Sequence, residues 1–332
     1  MRNNQVRIVL IVLVIVAIVG LLGKIFLNLN QSAEIILNSA NLNSNSVDKI
    51  ILSDREDQAT VYLNADDNRW YVGSYPVLDE YMNALWNTVS EINRAELVSN
   101  NPENHQYMGV DPRNTTNVEF YYKDELIETF LIGDKEYAPI EEDEVARMPW
   151  SQYVLKCYLR KANEVSVYGI FCPYPSLFAA DPTRWPDPYI AKIQPADVET
   201  LVYNFYGQEF LVKKIDARWY IDYQGQQSEA KQDVMYYLLE SLTTLITSDY
   251  PEFWDKKIVG SLDWNDPDIT LRVNTKQGSN SKSIYLSFIE RPDEDFSYYV
   301  KDATKTYVHF LSSRKAPDII KSRADLVYES PK

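Results

Sequence analysis

The chain has 332 residues, enough for two domains that each bury a core, and 45% of it is hydrophobic. Its formal net charge is -15, with 23 acids against 11 bases over residues 47–171, so a phosphate backbone would be repelled and no nucleic-acid partner is expected. Only Cys157 and Cys172 are present, too few for a disulfide framework or a four-ligand zinc site.

Residues 1–7 are polar and carry Arg2 and Arg7. Residues 8–27 are apolar apart from Lys24, and at 1.5 Å per residue they reach about 30 Å, the thickness of a bilayer core. The run predicts a transmembrane helix, with Lys24 snorkelling to the headgroups. Positive charge before it places the N-terminus inside and the bulk of the chain outside, as a single-pass, signal-anchored cell-membrane protein. A cleaved signal peptide is the alternative. Residues 28–46, dense in Asn and Ser, read as a tether.

A first repeat is expected over residues 47–172. Three β-branched or aromatic runs, 47–53, 59–63 and 69–75, are separated by charged turns and predict a meander. The period then changes, with Leu78, Met82, Leu85, Val89 and Ile92 forming the stripe of an amphipathic helix. Turn formers follow from Val98 to Pro112, and strands resume at 117–122, 126–133, 153–159 and 165–170. A proline-rich connector over 173–194 blocks both helix and ladder and joins the repeats.

The second repeat, 195–332, takes the same elements in the same order. Arg218-Trp219-Tyr220-Ile221 answers Arg69-Trp70-Tyr71-Val72, and Val234, Leu238, Leu242 and Leu245 repeat the helical stripe. The fold class expected is α+β: an N-terminal transmembrane helix, then two tandem, duplicated, mainly antiparallel-sheet domains with one long amphipathic helix each. Trp70, Trp219, Leu85 and Leu238 are the candidates for equivalent cores, each Trp locking helix to sheet.

The first copy reads Arg69-Trp70-Tyr71, amphipathic helix, Ser99-Asn100-Asn101-Pro102, Tyr107-Met108-Gly109-Val110-Asp111-Pro112, then Phe130-Leu131-Ile132-Gly133-Asp134-Lys135. In that order the chain resembles the tandem extracytoplasmic domain-of-unknown-function 4340 family over residues 47–325. In the second copy the Leu-Ile-Gly-Asp segment is matched to Tyr285-Leu286-Ser287-Phe288, a departure that weakens any shared site. The resemblance implies a membrane anchor, a duplicated external domain and an accessory role beside an uncharacterised gliding-type ABC transport system. It assigns no catalytic residue.

The residues themselves point to no reaction. His105 and His309 have no partners at catalytic or metal-binding spacing and read as surface or packing histidines. Glu141-Glu142-Asp143-Glu144 and Asp293-Glu294-Asp295 lack the spaced ligands and turn glycine of a calcium loop and read as solvated acidic loops. No glycine-rich phosphate loop occurs, so no cofactor and no metal are expected. A hairpin turn near Ala162 and Asn163 would leave Cys157 and Cys172 some four residues out of register, and whether they bond stays open. Trp150, Trp185, Trp254 and Trp264 fall in expected loops, where aromatics can anchor a partner or stack on sugars.

The leading expectation is a non-enzymatic subunit, an accessory or scaffold protein that binds other proteins of an ABC-type transport or envelope assembly. The alternative is a module for a wall polymer or carbohydrate, using aromatics between the repeats. A hydrolase working through Glu142 or Asp293 is a third.

Overall fold

The computed structural model describes residues 42–137, 154–172, 177–277 and 280–328. In chain order it begins with strands β1 (Lys49–Ser53), β2 (Gln58–Asn64), β3 (Arg69–Val72) and β4 (Tyr75–Pro76), helix α1 (Asp79–Glu91), strand β5 (Glu96–Ser99) and the single turn α2 (Asn104–Tyr107). Strands β6 (Thr116–Tyr122), β7 (Glu125–Tyr137), β8 (Val154–Lys161) and β9 (Val167–Ile170) follow. Next come β10 (Tyr189–Ala191), β11 (Val198–Phe205), β12 (Gln208–Ile215), β13 (Arg218–Tyr223), β14 (Gln226–Glu229), helix α3 (Gln232–Thr243), β15 (Leu245–Ile246) and the turn α4 (Lys256–Val259). The chain closes with β16 (Ile269–Gln277), β17 (Asn280–Glu290), β18 (Tyr298–Asp302), β19 (His309–Leu311) and the short helices α5 (Ala316–Ile319) and α6 (Arg323–Leu326).

This corrects the expected fold class. The described residues are mostly antiparallel sheet, in two large sheets, and not the α+β fold expected. Among the described residues no helix is long and apolar enough to cross a membrane. The longest, α1, has 13 residues, about 20 Å at 1.5 Å per residue, and it is amphipathic. The stretch 8–27 lies outside the described residues, as do most of the tether and the acidic run 141–144. The single-pass, signal-anchored cell-membrane assignment is accordingly withdrawn, because an apolar run sets a length and a hydropathy but does not by itself make a spanning helix.

The chain divides into two compact units, Met1–Asp48 with Ala84–Phe178 and Lys49–Asn83 with Ala179–Lys332. In the first, antiparallel strands run in the order β6-β7-β8-β9-β5. β5 was not expected and runs into the stretch of turn formers that opens at Val98; its Glu96 and Leu97 are both exposed and show no alternation. Two glycines bring distant turns together here. Asp134 N–H donates to Met108 O at 2.9 Å, and a Cβ on Gly133 would lie 2.1 Å from that carbonyl. Gly109, at φ +66°, turns the chain beneath Asp134. The Gly109 and Gly133 motifs are therefore one packing contact. Arg160, 5% exposed, fixes the same corner by donating to the carbonyls of Val110, Ala162 and Glu164.

Cys157 and Cys172 form a disulfide, with Cα atoms 5.7 Å apart. Cys157 pairs with Ile170 and Leu159 with Tyr168, so the turn lies one residue later than the sequence suggests. That moves the register by two residues and leaves the cysteines as diagonal neighbours.

In the second unit eight antiparallel strands run β14-β13-β12-β11-β16-β17-β18-β19. Met235, Leu238, Leu239 and Leu242 of α3 are buried in one cluster with Leu201, Tyr203, Phe210, Val212, Trp219, Ile221, Leu271 and Phe288 of the strands. Gln232, the first residue of α3, clamps the strand beneath: its Oε1 accepts from Trp219 N–H and its Nε2 donates to Trp219 O, both at 3.0 Å. The β1–β4 meander belongs to this unit too. Its register sets Val61 opposite Val72 and Leu63 opposite Trp70, as β12 and β13 set Val212 opposite Ile221 and Lys214 opposite Trp219. The chain around Pro186 joins it, through Asp187 N–H to Pro76 O at 2.8 Å and Leu78 N–H to Trp185 O at 3.2 Å.

Candidate functional site

The second unit holds an open cleft of about 570 Å³, within the size range of small-molecule sites. Its walls come from four places in the sequence. Phe205 ends β11 and Tyr206 opens the two-residue turn into β12. Glu290 ends β17, and Phe296 and Tyr298 follow it across a turn. Val234 comes from the first turn of α3, and Pro317, Ile320, Lys321 and Asp325 from the C-terminal helices.

Asp268 aligns the first two walls. Its carbonyl accepts from Tyr206 N–H at 3.0 Å while its carboxylate accepts from Glu290 N–H at 2.7 Å. The Tyr206 hydroxyl then donates to Glu290 Oε2 at 2.5 Å and lies 3.4 Å from the Tyr298 hydroxyl. Burial, and after it the bond to Glu290, raises the Tyr206 pKa, so the phenol stays protonated and remains a donor. Phe296 is presented by a turn tied at its base by Arg291 N–H to Ser297 O at 2.8 Å and by the Arg291–Glu294 ion pair at 3.2 Å. On the far side the Tyr203 hydroxyl donates to Ile319 O at 2.8 Å, and a capping box of Ser322 and Asp325 starts α6.

Backbone conformation singles this cleft out. Among the described residues eight non-glycine positions have positive φ, and the two aromatic ones, Tyr206 at 47° and Phe296 at 60°, both line it. Tyr206-Gly207 closes a two-residue hairpin with both φ positive, a place usually filled by Asn-Gly or Asp-Gly. Left-handed conformation costs a bulky residue on the order of 1 kcal/mol or more, and such positions gather at ligand clamps. Phe296 is also 64% exposed and Tyr206 48%, so neither residue is in the core.

The residues singled out by sequence fall elsewhere. Trp219, Leu238 and Leu85 are buried, and Trp70 is half-buried. Trp185 is 1% exposed with its Nε1 donating to Ala179 O, so it belongs to a core and offers no surface. Trp150 lies outside the described residues. Trp254 and Trp264 meet around one small cluster of Tyr299, Val308 and Phe310, where Arg291 covers the Trp254 ring at 5.2 Å and Lys301 the Trp264 ring at 5.6 Å. His105 Nε2 lies 2.7 Å from Val165 O. His309 is fully buried among Tyr307, Tyr75 and Tyr250, with centroids at 5.2, 6.1 and 6.4 Å, and neither ring nitrogen has a hydrogen-bond partner. Burial, and then the charge of Lys305, lowers its pKa to about 3 and keeps it neutral at pH 7.

Among the described residues no three His, Cys, Asp or Glu side chains are placed to hold a metal ion. The cleft can supply ring surfaces, the Tyr206 and Tyr298 hydroxyls, the Glu290 and Asp325 carboxylates and the Lys321 ammonium. The sequence carried one signal for it, a Tyr-Gly dipeptide between two alternating runs where Asn-Gly is the norm. A scan against protein-family models, a search of the curated proteins and a search of the solved structures each return no match.

Proposed function

We propose that the protein works by binding and not by catalysis, as an accessory subunit that holds a ligand in the cleft between the Tyr206 turn, the Phe296 turn and the C-terminal helices. The observation that carries this reading is the pair of exposed aromatic residues held in left-handed conformation on one cleft, since the fold gives up stability at both positions and leaves about half or more of each residue open to solvent. The sequence resemblance supplies the setting, an ABC-type transport or envelope assembly whose energy source would lie in another chain.

A panel of sugars, amines and aromatic acids screened against the full chain by thermal unfolding tests it. A ligand at a hundred times its Kd stabilises the folded state by about 2.7 kcal/mol. At least one class should raise Tm in the wild type and fail to do so in Phe296→Ala. A panel that leaves Tm unchanged contradicts the reading. Exposed rings beside a carboxylate acceptor also suit a pyranose, so a wall polymer or carbohydrate is the second reading, and a response confined to the sugars would favour it.

A further inference from the structure

The charge in the cleft narrows what it can hold. Glu290 keeps one oxygen on the Tyr206 hydroxyl and has no ion pair among the described residues, although its carboxylate stands among aromatic rings. The other charged groups of the lining, Asp325 and Lys321, bond to neutral partners and keep their charges. Asp325 accepts from the Ser322 backbone N–H and hydroxyl, and the Lys321 ammonium donates to Pro317 O. The lining thus carries two carboxylates against one ammonium, and Glu290 is the carboxylate that stands beside Phe205, Tyr206, Phe296 and Tyr298. Ring faces carry the negative end of a quadrupole, so they add to the attraction of the carboxylate for a cation and suit one whose charge is spread over alkyl groups and weakly hydrated.

We infer that the cleft binds a small organic cation of the quaternary ammonium type, the ammonium group seated among Tyr206, Phe296 and Tyr298 and neutralised by Glu290. The assignment rests on the cleft being the working site, and it explains two features that burial alone does not. The left-handed turns place Tyr206 and Phe296 where two rings and a carboxylate face one space, and the Tyr206–Glu290 bond fixes the carboxylate without neutralising it.

The test is a calorimetric titration of the full chain with choline and, separately, with 3,3-dimethylbutan-1-ol, which has the same shape without the charge. Choline should bind about tenfold or more tightly than the alcohol. Glu290→Gln should remove most of that difference by weakening choline alone, and Phe296→Ala should weaken both, with each variant's melting midpoint confirming a folded protein. Equal binding of the two compounds would overturn the cation while leaving the cleft a ligand site. Binding of neither would remove the cation and count against the cleft itself, and choline affinity unchanged in Glu290→Gln would place the cation elsewhere.

Discussion

Tyr206 and Phe296 are expensive residues for the turns they occupy. At a left-handed position glycine carries no Cβ penalty, so Phe296→Gly should raise the unfolding free energy by about 1 kcal/mol, read from the urea midpoint, while abolishing ligand response. An unchanged or lowered midpoint would show that the turn stores no strain. His309 makes a different prediction. Its pKa falls from 6.5 in the unfolded chain to about 3 in the fold. The unfolded state therefore takes up the proton first. The stability that the neutral ring contributes is present in full above about pH 6.5 and is lost as the pH falls toward 3, at up to about 1.4 kcal/mol per unit. In His309→Phe that slope between pH 6 and 4 should flatten, and an identical slope would mean that other groups drive acid unfolding.

Among the elements, the Gly109 and Gly133 turns explain a motif that sequence could only match. Gly133→Ala would bring a methyl group onto the Met108 carbonyl and should cost about 3 kcal/mol or more by chemical denaturation. A loss below about 1 kcal/mol would show that the corner relaxes. The second copy does not build this corner. Phe288 sits opposite Ile269 as Phe130 sits opposite Val118, so the counterpart of Leu131-Ile132-Gly133-Asp134 is Ile289-Glu290-Arg291-Pro292, four residues beyond Tyr285-Leu286-Ser287-Phe288. In that stretch the first copy has a packing glycine and the second has the cleft carboxylate. Strands with alternating burial, such as β2 and β12, were legible because each buries every second side chain. The strand β5 was not, because its exposed Glu96 and Leu97 break the alternation, and the Cys157–Cys172 bond stayed open because a one-residue error in a turn becomes two residues of register.

For the whole molecule, periodicity and the Arg-Trp-Tyr recurrence showed where strands and helices begin, but not how they associate. Residues 49–83 join residues 179–332 in one compact unit, with Tyr75 wholly buried, its hydroxyl on Val308 O at 2.6 Å. No local pattern encodes a contact between positions 233 residues apart. The apolar run at the N-terminus suggested a membrane helix, whereas the described fold is mostly antiparallel sheet with short amphipathic helices. Tryptophans in loops drew attention as binding residues, yet the exposed rings lining the cleft are a tyrosine and a phenylalanine, which frequency and hydropathy do not distinguish from core residues. The central claim is that the chain acts by holding a ligand in that cleft. Hydrogen exchange of the full chain, followed by mass spectrometry with and without the panel's compounds, tests it most directly. The account predicts slowed exchange over residues 205–208, 290–298 and 316–325, and protection confined to other segments, or none at all, would contradict it.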